Sequence, residues 1–286
     1  MIPTVDSLLR EATAQLVESG VASARVDAEL LLGATLDLSR GEILRLALLG
    51  CGVSDQDATA YRDVVHQRTE RVPLQHLTGY ADFAGLRLSV GPGVFVPRPE
   101  TEVLVARGYE VGHDLTRPVI VDLCTGSGAI AAALKRRWSA SSVHAVEVSA
   151  HAHAWAEQNF ARLDLDVDLR LGDARTTFDE LDGAVDLVTC NPPYIPTGAV
   201  PQDPEVRLHD PSIALYGDSE DGLAIPVQMA ARAAVLLRKG GVLLMEHAET
   251  QGEALASLLV ASGDWARVVD HRDWAGRSRF VEAARA

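Results

Sequence analysis

The chain has 286 residues, 47% apolar and 23% charged, with a formal net charge of −14. That balance describes a globular protein long enough for two domains. It argues against direct nucleic-acid binding, where phosphate neutralisation supplies most of the affinity and leaves a basic stripe. There is no apolar run of about 18 residues, and Met1-Ile2-Pro3-Thr4-Val5-Asp6 lacks a basic-then-apolar leader, so a cytoplasmic protein without a membrane anchor is expected. The three cysteines, Cys51, Cys124 and Cys190, are odd in number and lack Cys-x-x-Cys spacing. The nine histidines form no ligand pattern either, so neither a disulfide framework nor a metal site is expected. Acidity suits a basic protein partner, and equally suits simple solubility.

Residues 1–75 read as a bundle of short helices. Val5, Leu8, Leu9, Ala12 and Leu16 recur at helical spacing, with Asp6 or Ser7 as candidate caps. A second stripe runs from Ala24 to Leu36, a third helix opens at Ser39, and Ser54-Asp55-Gln56-Asp57 is a capping cluster for a fourth reaching about Glu70. This part carries 7 basic and 11 acidic residues and no catalytic cluster, which fits a recognition module. Residues 76–101 differ. Phe83, Leu86, Leu88 and Val90, with Gly85 between, predict a β-hairpin, and Gly91-Pro92-Gly93 turns the chain. Pro97-Arg98-Pro99-Glu100-Thr101-Glu102 brackets an arginine with prolines and opens a helix with acids in its first turn. The bracketing favours a positioned role for Arg98 over an exposed linker charge.

Residues 102–286 alternate strand and helix, which predicts a doubly wound α/β sheet. Val119–Leu123 is a buried strand, followed by Cys124-Thr125-Gly126-Ser127-Gly128, whose glycines let backbone approach a ligand at a helix start. Val143–Val148 is the next strand, with Glu147 placed 19 residues after Gly128 to bind ribose hydroxyls. A third strand, Val167–Leu171, ends in Gly172-Asp173-Ala174. Asp173 suits an adenine amino group, or caps a following helix. A helix from Leu223 to Arg238, a turn at Gly240-Gly241 and a strand from Val242 to Glu246 follow. A helix from Glu249 to Ser262 then precedes a final strand pair, Arg267–His271 and Arg279–Ala283.

The fourth strand, Val185–Cys190, runs into Asn191-Pro192-Pro193-Tyr194. Two prolines cannot continue a strand ladder, so the chain must turn out at the carboxyl edge of the sheet, where open α/β sheets bind ligands. The Asn191 side-chain carbonyl and the Pro192 backbone carbonyl are two acceptors on a stiff turn, and Tyr194 adds a flat ring. Two acceptors and a ring suit a planar –NH2 group whose nitrogen is aimed at an electrophile. Gly126-x-Gly128-x-x-Ala131 nearly fits the dinucleotide fingerprint, but hydride transfer has no use for the strand-four motif. With Asp122 and Glu147, the glycine turn fits S-adenosylmethionine at least as well, and methyl transfer to an –NH2 group uses both motifs. An exocyclic base amine in nucleic acid offers the same group, a reading that the charge disfavours.

These motifs, together with Arg71-x-Pro73-x-Gln75, Asp221-Gly222-Leu223 and Gln251-Gly252-Glu253, resemble the HemK/PrmC family over essentially the whole chain. That family comprises methyltransferases acting on a glutamine amide of bacterial peptide chain release factors. The resemblance implies a class I S-adenosylmethionine-dependent sheet of seven strands behind a helical domain and hairpin linker. It implies cofactor contacts at Cys124, Thr125, Gly126, Ser127, Gly128, Glu147, Asp173, Ala174 and Asn191. It further implies that Asn191, Pro192, Pro193 and Tyr194 are catalytic and hold the substrate glutamine, with Arg98 and Glu100 at the substrate side. S-adenosylhomocysteine would be the product and no metal would be needed. A ribosomal-protein glutamine is the nearest alternative substrate. Ala174 stands where some members carry an aromatic, leaving Phe178 as the nearby ring for adenine. His76 stands where many carry Tyr, a change expected to bear on hairpin packing.

Overall fold

A computed structural model describes residues 2–286, which divide into two compact units. One runs to Tyr80 and regains Pro201–His209; the other comprises Ala81–Val200 and Asp210–Ala286.

The helical unit contains α1 (Val5–Glu18), α2 (Ala24–Leu36), α3 (Arg40–Leu48), α4 (Asp55–Thr69) and the short α5 (Leu74–Thr78). Its core is the predicted apolar stripe: Val5, Leu8, Leu9, Ala12 and Leu16 are buried against Leu31, Leu32, Ile43 and Tyr61. The Tyr61 hydroxyl donates to the Ala28 carbonyl at 3.0 Å, so the one polar atom of that large ring is satisfied. The first helix is capped by Thr4, not by Asp6 or Ser7. Thr4 accepts from the Ser7 amide and Ser7 returns a bond to Thr4, a capping box set one residue ahead of the first helical position. Ser39 and Ser54 cap α3 and α4 as their spacing predicts. His76 lies in α5 and not in the hairpin; the left-handed Gly79 that ends α5 separates the two.

The other unit opens at Ala81, inside β1 (Tyr80–Phe83) of the hairpin with β2 (Leu86–Ser89), then continues through a 3-10 turn at Pro99–Thr101 and α6 (Glu102–Val111). β3 (Val119–Leu123), α7 (Ala129–Arg137), β4 (Ser142–Glu147), α8 (Ala150–Arg162), β5 (Asp168–Leu171) and β6 (Val185–Cys190) follow. The chain then lends α9 (Pro204–His209) to the helical unit and returns through α10 (Ala224–Leu236), β7 (Leu237–Glu246), α11 (Gly252–Ser262), β8 (Trp265–Arg272) and β9 (Ser278–Arg285). The seven-stranded sheet has the order β5-β4-β3-β6-β7-β9-β8, with β9 antiparallel to both neighbours. Runs such as Ile120-Val121 and Leu187-Val188-Thr189-Cys190 are buried on both faces, as central parallel strands require.

Between α10 and β7 the sequence reading is corrected. The helix stops at Leu236, and Leu237 already pairs with Val185. The register then jumps to Leu187 opposite Val242, so Lys239-Gly240-Gly241 form a bulge inside one strand, not a turn before it. A Cβ on Gly241 would lie 2.9 Å from the Val185 carbonyl, which explains the glycine.

Candidate active site

The ends of β3 and β6 lie side by side, with Leu123 opposite Cys190, so the glycine turn and Asn191-Pro192-Pro193-Tyr194 emerge at one edge. The turn is left-handed three times, at Cys124 (φ 60°), Gly126 (φ 58°) and Gly128 (φ 81°). Cys124 pays the steric cost of a side chain in that region, of about 1–2 kcal/mol, and the surroundings must hold it there. Asp122 does much of the holding. It is fully buried, and its carboxylate accepts from Thr125 Oγ1 at 2.6 Å and from Thr189 Oγ1 at 2.7 Å, tying the turn to β6. Burial pushes its carboxyl up to about 6 although both hydroxyls favour the charged form. Asp122 is thus a brace beneath the turn.

Glu147 also braces the turn. Its carboxylate accepts from the Gly126 amide and the Ser149 amide, each at 2.8 Å, while burial raises its pKa. A carboxylate has about four lone-pair directions, so acceptor capacity remains for a hydroxyl donor beyond these amides and that of Val148.

Of the two readings of Asp173, the helix cap is not what the structure shows. Both its oxygens bond the Arg175 guanidinium, which lowers its pKa, and no helix follows for it to cap. Ala174 and Phe178 are buried in the main core. Phe178 has the Arg170 guanidinium 4.3 Å from its ring centre and the His144 ring edge-on at 5.4 Å, so its faces are spent on packing. The expectation that Phe178 serves adenine is therefore corrected: the ring is fully buried in the core.

Around the strand-four motif, Pro192 and Pro193 are buried, while Asn191 and Tyr194 are half-buried. Among the described residues no group bonds the Asn191 side-chain amide, and no backbone N–H bonds the Pro192 carbonyl. Behind them the loop is clamped. Gln251 Nε2 donates to the Tyr194 carbonyl at 2.8 Å and to the Asp221 carbonyl at 2.7 Å. Gly222 (φ 74°) packs so closely that a Cβ would lie 2.1 Å from the Tyr194 carbonyl oxygen. The Tyr194 hydroxyl donates to Glu246 Oε1 at 3.1 Å, and burial pushes its pKa up from the ordinary value. Arg98 is positioned, as its bracketing prolines predict: it lies over the Phe95 ring at 4.8 Å and pairs with Asp210 at 3.0 Å. Glu100 is half-buried and lies near enough to Tyr194, Glu246 and Arg279 to act on all three electrostatically. Among the described residues no three His, Cys, Asp or Glu converge as a metal-ligand group.

Sequence reasoning found both halves of this edge but missed what supports them. Glu246 carried no motif, and Asp221-Gly222 and Gln251 entered only through the resemblance. The paired acid–glycine and glutamine–glycine steps are the local signal that a tight approach is being made there.

Residues 7–79 match the family described as the PrmC N-terminal domain, and residues 120–202 match a methyltransferase domain. A release factor glutamine methyltransferase of Streptomyces coelicolor is 47% identical over 280 residues, covering 96% of each chain. One from Mycolicibacterium smegmatis is 44% identical over 281 residues, covering 97% of this chain and 96% of that one. The chain belongs to the release factor glutamine methyltransferase family. The sheet of this family member is that of class I methyltransferases. It superposes on a T. thermophilus 16S rRNA N2 G1207 methyltransferase, solved with AdoMet and guanosine, with a TM-score of 0.52. Sequence identity there is 19%, over 72% of this chain and 50% of that one, so the likeness is one of fold.

Proposed function

We propose that this chain transfers a methyl group from S-adenosylmethionine to the side-chain amide nitrogen of the glutamine in the Gly-Gly-Gln loop of peptide chain release factors. It would act in the cytoplasm without a metal, and S-adenosylhomocysteine would leave as product. The relatives' shared name supports the substrate. The observation that carries the chemistry is the pair of unclaimed acceptors, Asn191 and the Pro192 carbonyl, held rigidly beside the left-handed glycine turn.

The turn fits the cofactor. A Cβ built on Gly126 meets nothing within 4 Å, so that face is open to a ligand, and Gly128 heads α7, whose first amides are unpaired within the helix. Cys124, Thr125, Gly126, Ser127 and Gly128 would line it, with the remaining Glu147 lone pairs on ribose hydroxyls. Asp173 with Ala174 and the Asn191 backbone would border the adenine side. Bound there, S-adenosylmethionine would supply a methyl group activated by its sulfonium, with a neutral thioether as the leaving group.

Asn191 Oδ1 and the Pro192 carbonyl would accept the two N–H bonds of the glutamine amide, with the Tyr194 ring against its face. An amide nitrogen is a poor nucleophile, because its lone pair is delocalised. Fixing both hydrogens aims that nitrogen and supplies orientation of the order of 7–11 kcal/mol. Positive charge would grow on that nitrogen during transfer, and the two acceptors would stabilise it. The extra proton then leaves to water, so no side chain need act as base. Arg98 and Glu100 would border the substrate, and the helical unit would supply protein recognition.

The test is transfer of labelled methyl to purified release factor, with a glutamine-to-alanine loop variant alongside and peptide mass mapping. One methyl on that glutamine, absent from the variant, is expected. Label appearing instead on ribosomal protein or RNA would overturn the substrate.

A further inference from the structure

We infer that Glu246 is the positioning residue for the Tyr194 ring and that Thr101 holds Glu246 in place. The inference rests on the reading above, in which Tyr194 faces the substrate amide.

Glu246 ends β7, the strand beside β6, and is 1% exposed. Its two oxygens have separate tasks. Oε1 accepts from the Tyr194 hydroxyl at 3.1 Å, and Oε2 accepts from Thr101 Oγ1 at 2.7 Å. Thr101 is itself buried, in the proline-bracketed segment that leads into α6. Among the described residues no lysine or arginine makes an ion pair with Glu246. Arg279 acts on it only through space, while its Nη2 reaches Asp273 at 3.4 Å. Fold stability alone gives little reason for such a carboxylate, since a glutamine would meet the same hydroxyls without burying a charge.

Its position gives a reason. A tyrosine ring has two side-chain torsions. The Gln251 bond fixes the backbone end of Tyr194, and the Glu246 bond fixes the far end. With both ends held, the plane of the ring is set before substrate arrives. A preset face costs nothing to organise at the moment of methyl transfer.

Two measurements test this. In the first, kcat for release-factor methylation is measured in a double-mutant cycle of Glu246→Ala and Tyr194→Phe. Each single change is expected to lower kcat by about 100-fold, the loss that a misplacement of about 1 Å brings. The double variant should fall little below Tyr194→Phe, because both changes remove one bond. Glu246→Gln should recover most of the rate, and cofactor affinity should stay close to wild type throughout. Equal losses from Glu246→Ala on the wild-type and Tyr194→Phe backgrounds would overturn the inference. So would a lower Tm with kcat unchanged. The second measurement needs no substrate: 3-fluorotyrosine at position 194, observed by 19F NMR. One narrow resonance is expected in the wild type and a broadened or shifted one in Glu246→Ala. An unchanged resonance overturns the inference even if the substrate reading fails, whereas a substrate failure alone would show only in the labelling control.

Discussion

At the residue scale, Asp122 and Asn191 make opposite demands on the fold. Asp122 is buried where its charge is disfavoured, and its carboxyl moves from about 3.8 to about 6. A raised acid binds more protons folded than unfolded between those values. Its stabilisation is therefore complete below about pH 4 and is lost as pH rises through 6. Asp122→Asn carries no such penalty. It should gain on wild type by up to about 3 kcal/mol between pH 4 and 7.5, which urea unfolding at both pH values would measure. An equal gap at both pH values would show that the carboxylate is not disfavoured. Among the described residues the Asn191 side chain makes no bond to the fold, so Asn191→Ala should barely move the Tm. It should nevertheless cost about 3 kcal/mol in kcat/KM, near that of one lost oxyanion-type donor. Activity within a few-fold of wild type would dismiss the proposed mechanism.

Among the elements, two glycines of similar backbone conformation should fail in different ways. Gly222→Ala drives a Cβ to 2.1 Å from the Tyr194 carbonyl. That atom is backbone already clamped by Gln251, so the loop must shift. Loss of both Tm and methylation is expected. Gly126→Ala meets no atom within 4 Å, so its folding cost is the left-handed strain of about 1–2 kcal/mol. Its larger effect should be weaker S-adenosylmethionine binding, read by calorimetric titration. If affinity is unchanged, the cofactor does not use that face. In the helical unit, Glu205 of α9 bonds Arg68 at 2.7 Å and Arg71 at 2.6 Å. Burial opposes its charge, but the neighbouring Asp203 side chain and the bonds that Arg71 and Arg68 donate hold its pKa down at about 2. Glu205→Gln should destabilise by about 3 kcal/mol, as removing one partner of a buried pair does. A Tm within a degree of wild type would show that Asp27, which pairs with Arg68 at 2.8 Å, suffices alone.

For the whole molecule, the −14 charge is the property a protein partner meets first. If a basic face of the release factor approaches this surface, kcat/KM should fall as ionic strength rises from about 0.05 to 0.3 M, with kcat little changed. A salt-independent kcat/KM would mean that acidity serves solubility alone. The same scale explains why the helical unit cannot be drawn as one stretch of chain. Glu205, Arg68, Arg71 and Asp27 form one charge network although α9 comes more than a hundred residues after α4.

Local physics made much of this protein legible in its sequence. A 3.6-residue period marked the helices, because their side chains must spiral, and short continuous apolar runs marked the central strands, which are covered on both faces. Prolines 192 and 193 had to end β6, because they cannot join a ladder. The tightness of the glycine turn followed from the residue type. Where Gly240 and Gly241 implied a turn, their freedom was spent inside a strand, since only the packing of β7 on β6 tells a bulge from a turn. Phe178 was likewise ambiguous until the core claimed it. Strand order was decided by tertiary structure alone. Placing β6 between β3 and β7 brings Gly222, Glu246 and Gln251 to one tyrosine, with Thr101 and Asp221 bonded to the last two, and sets Cys124 beside Cys190. Those residues are far apart in sequence. Burial and hydrogen-bond satisfaction join them, and both depend on which surfaces meet.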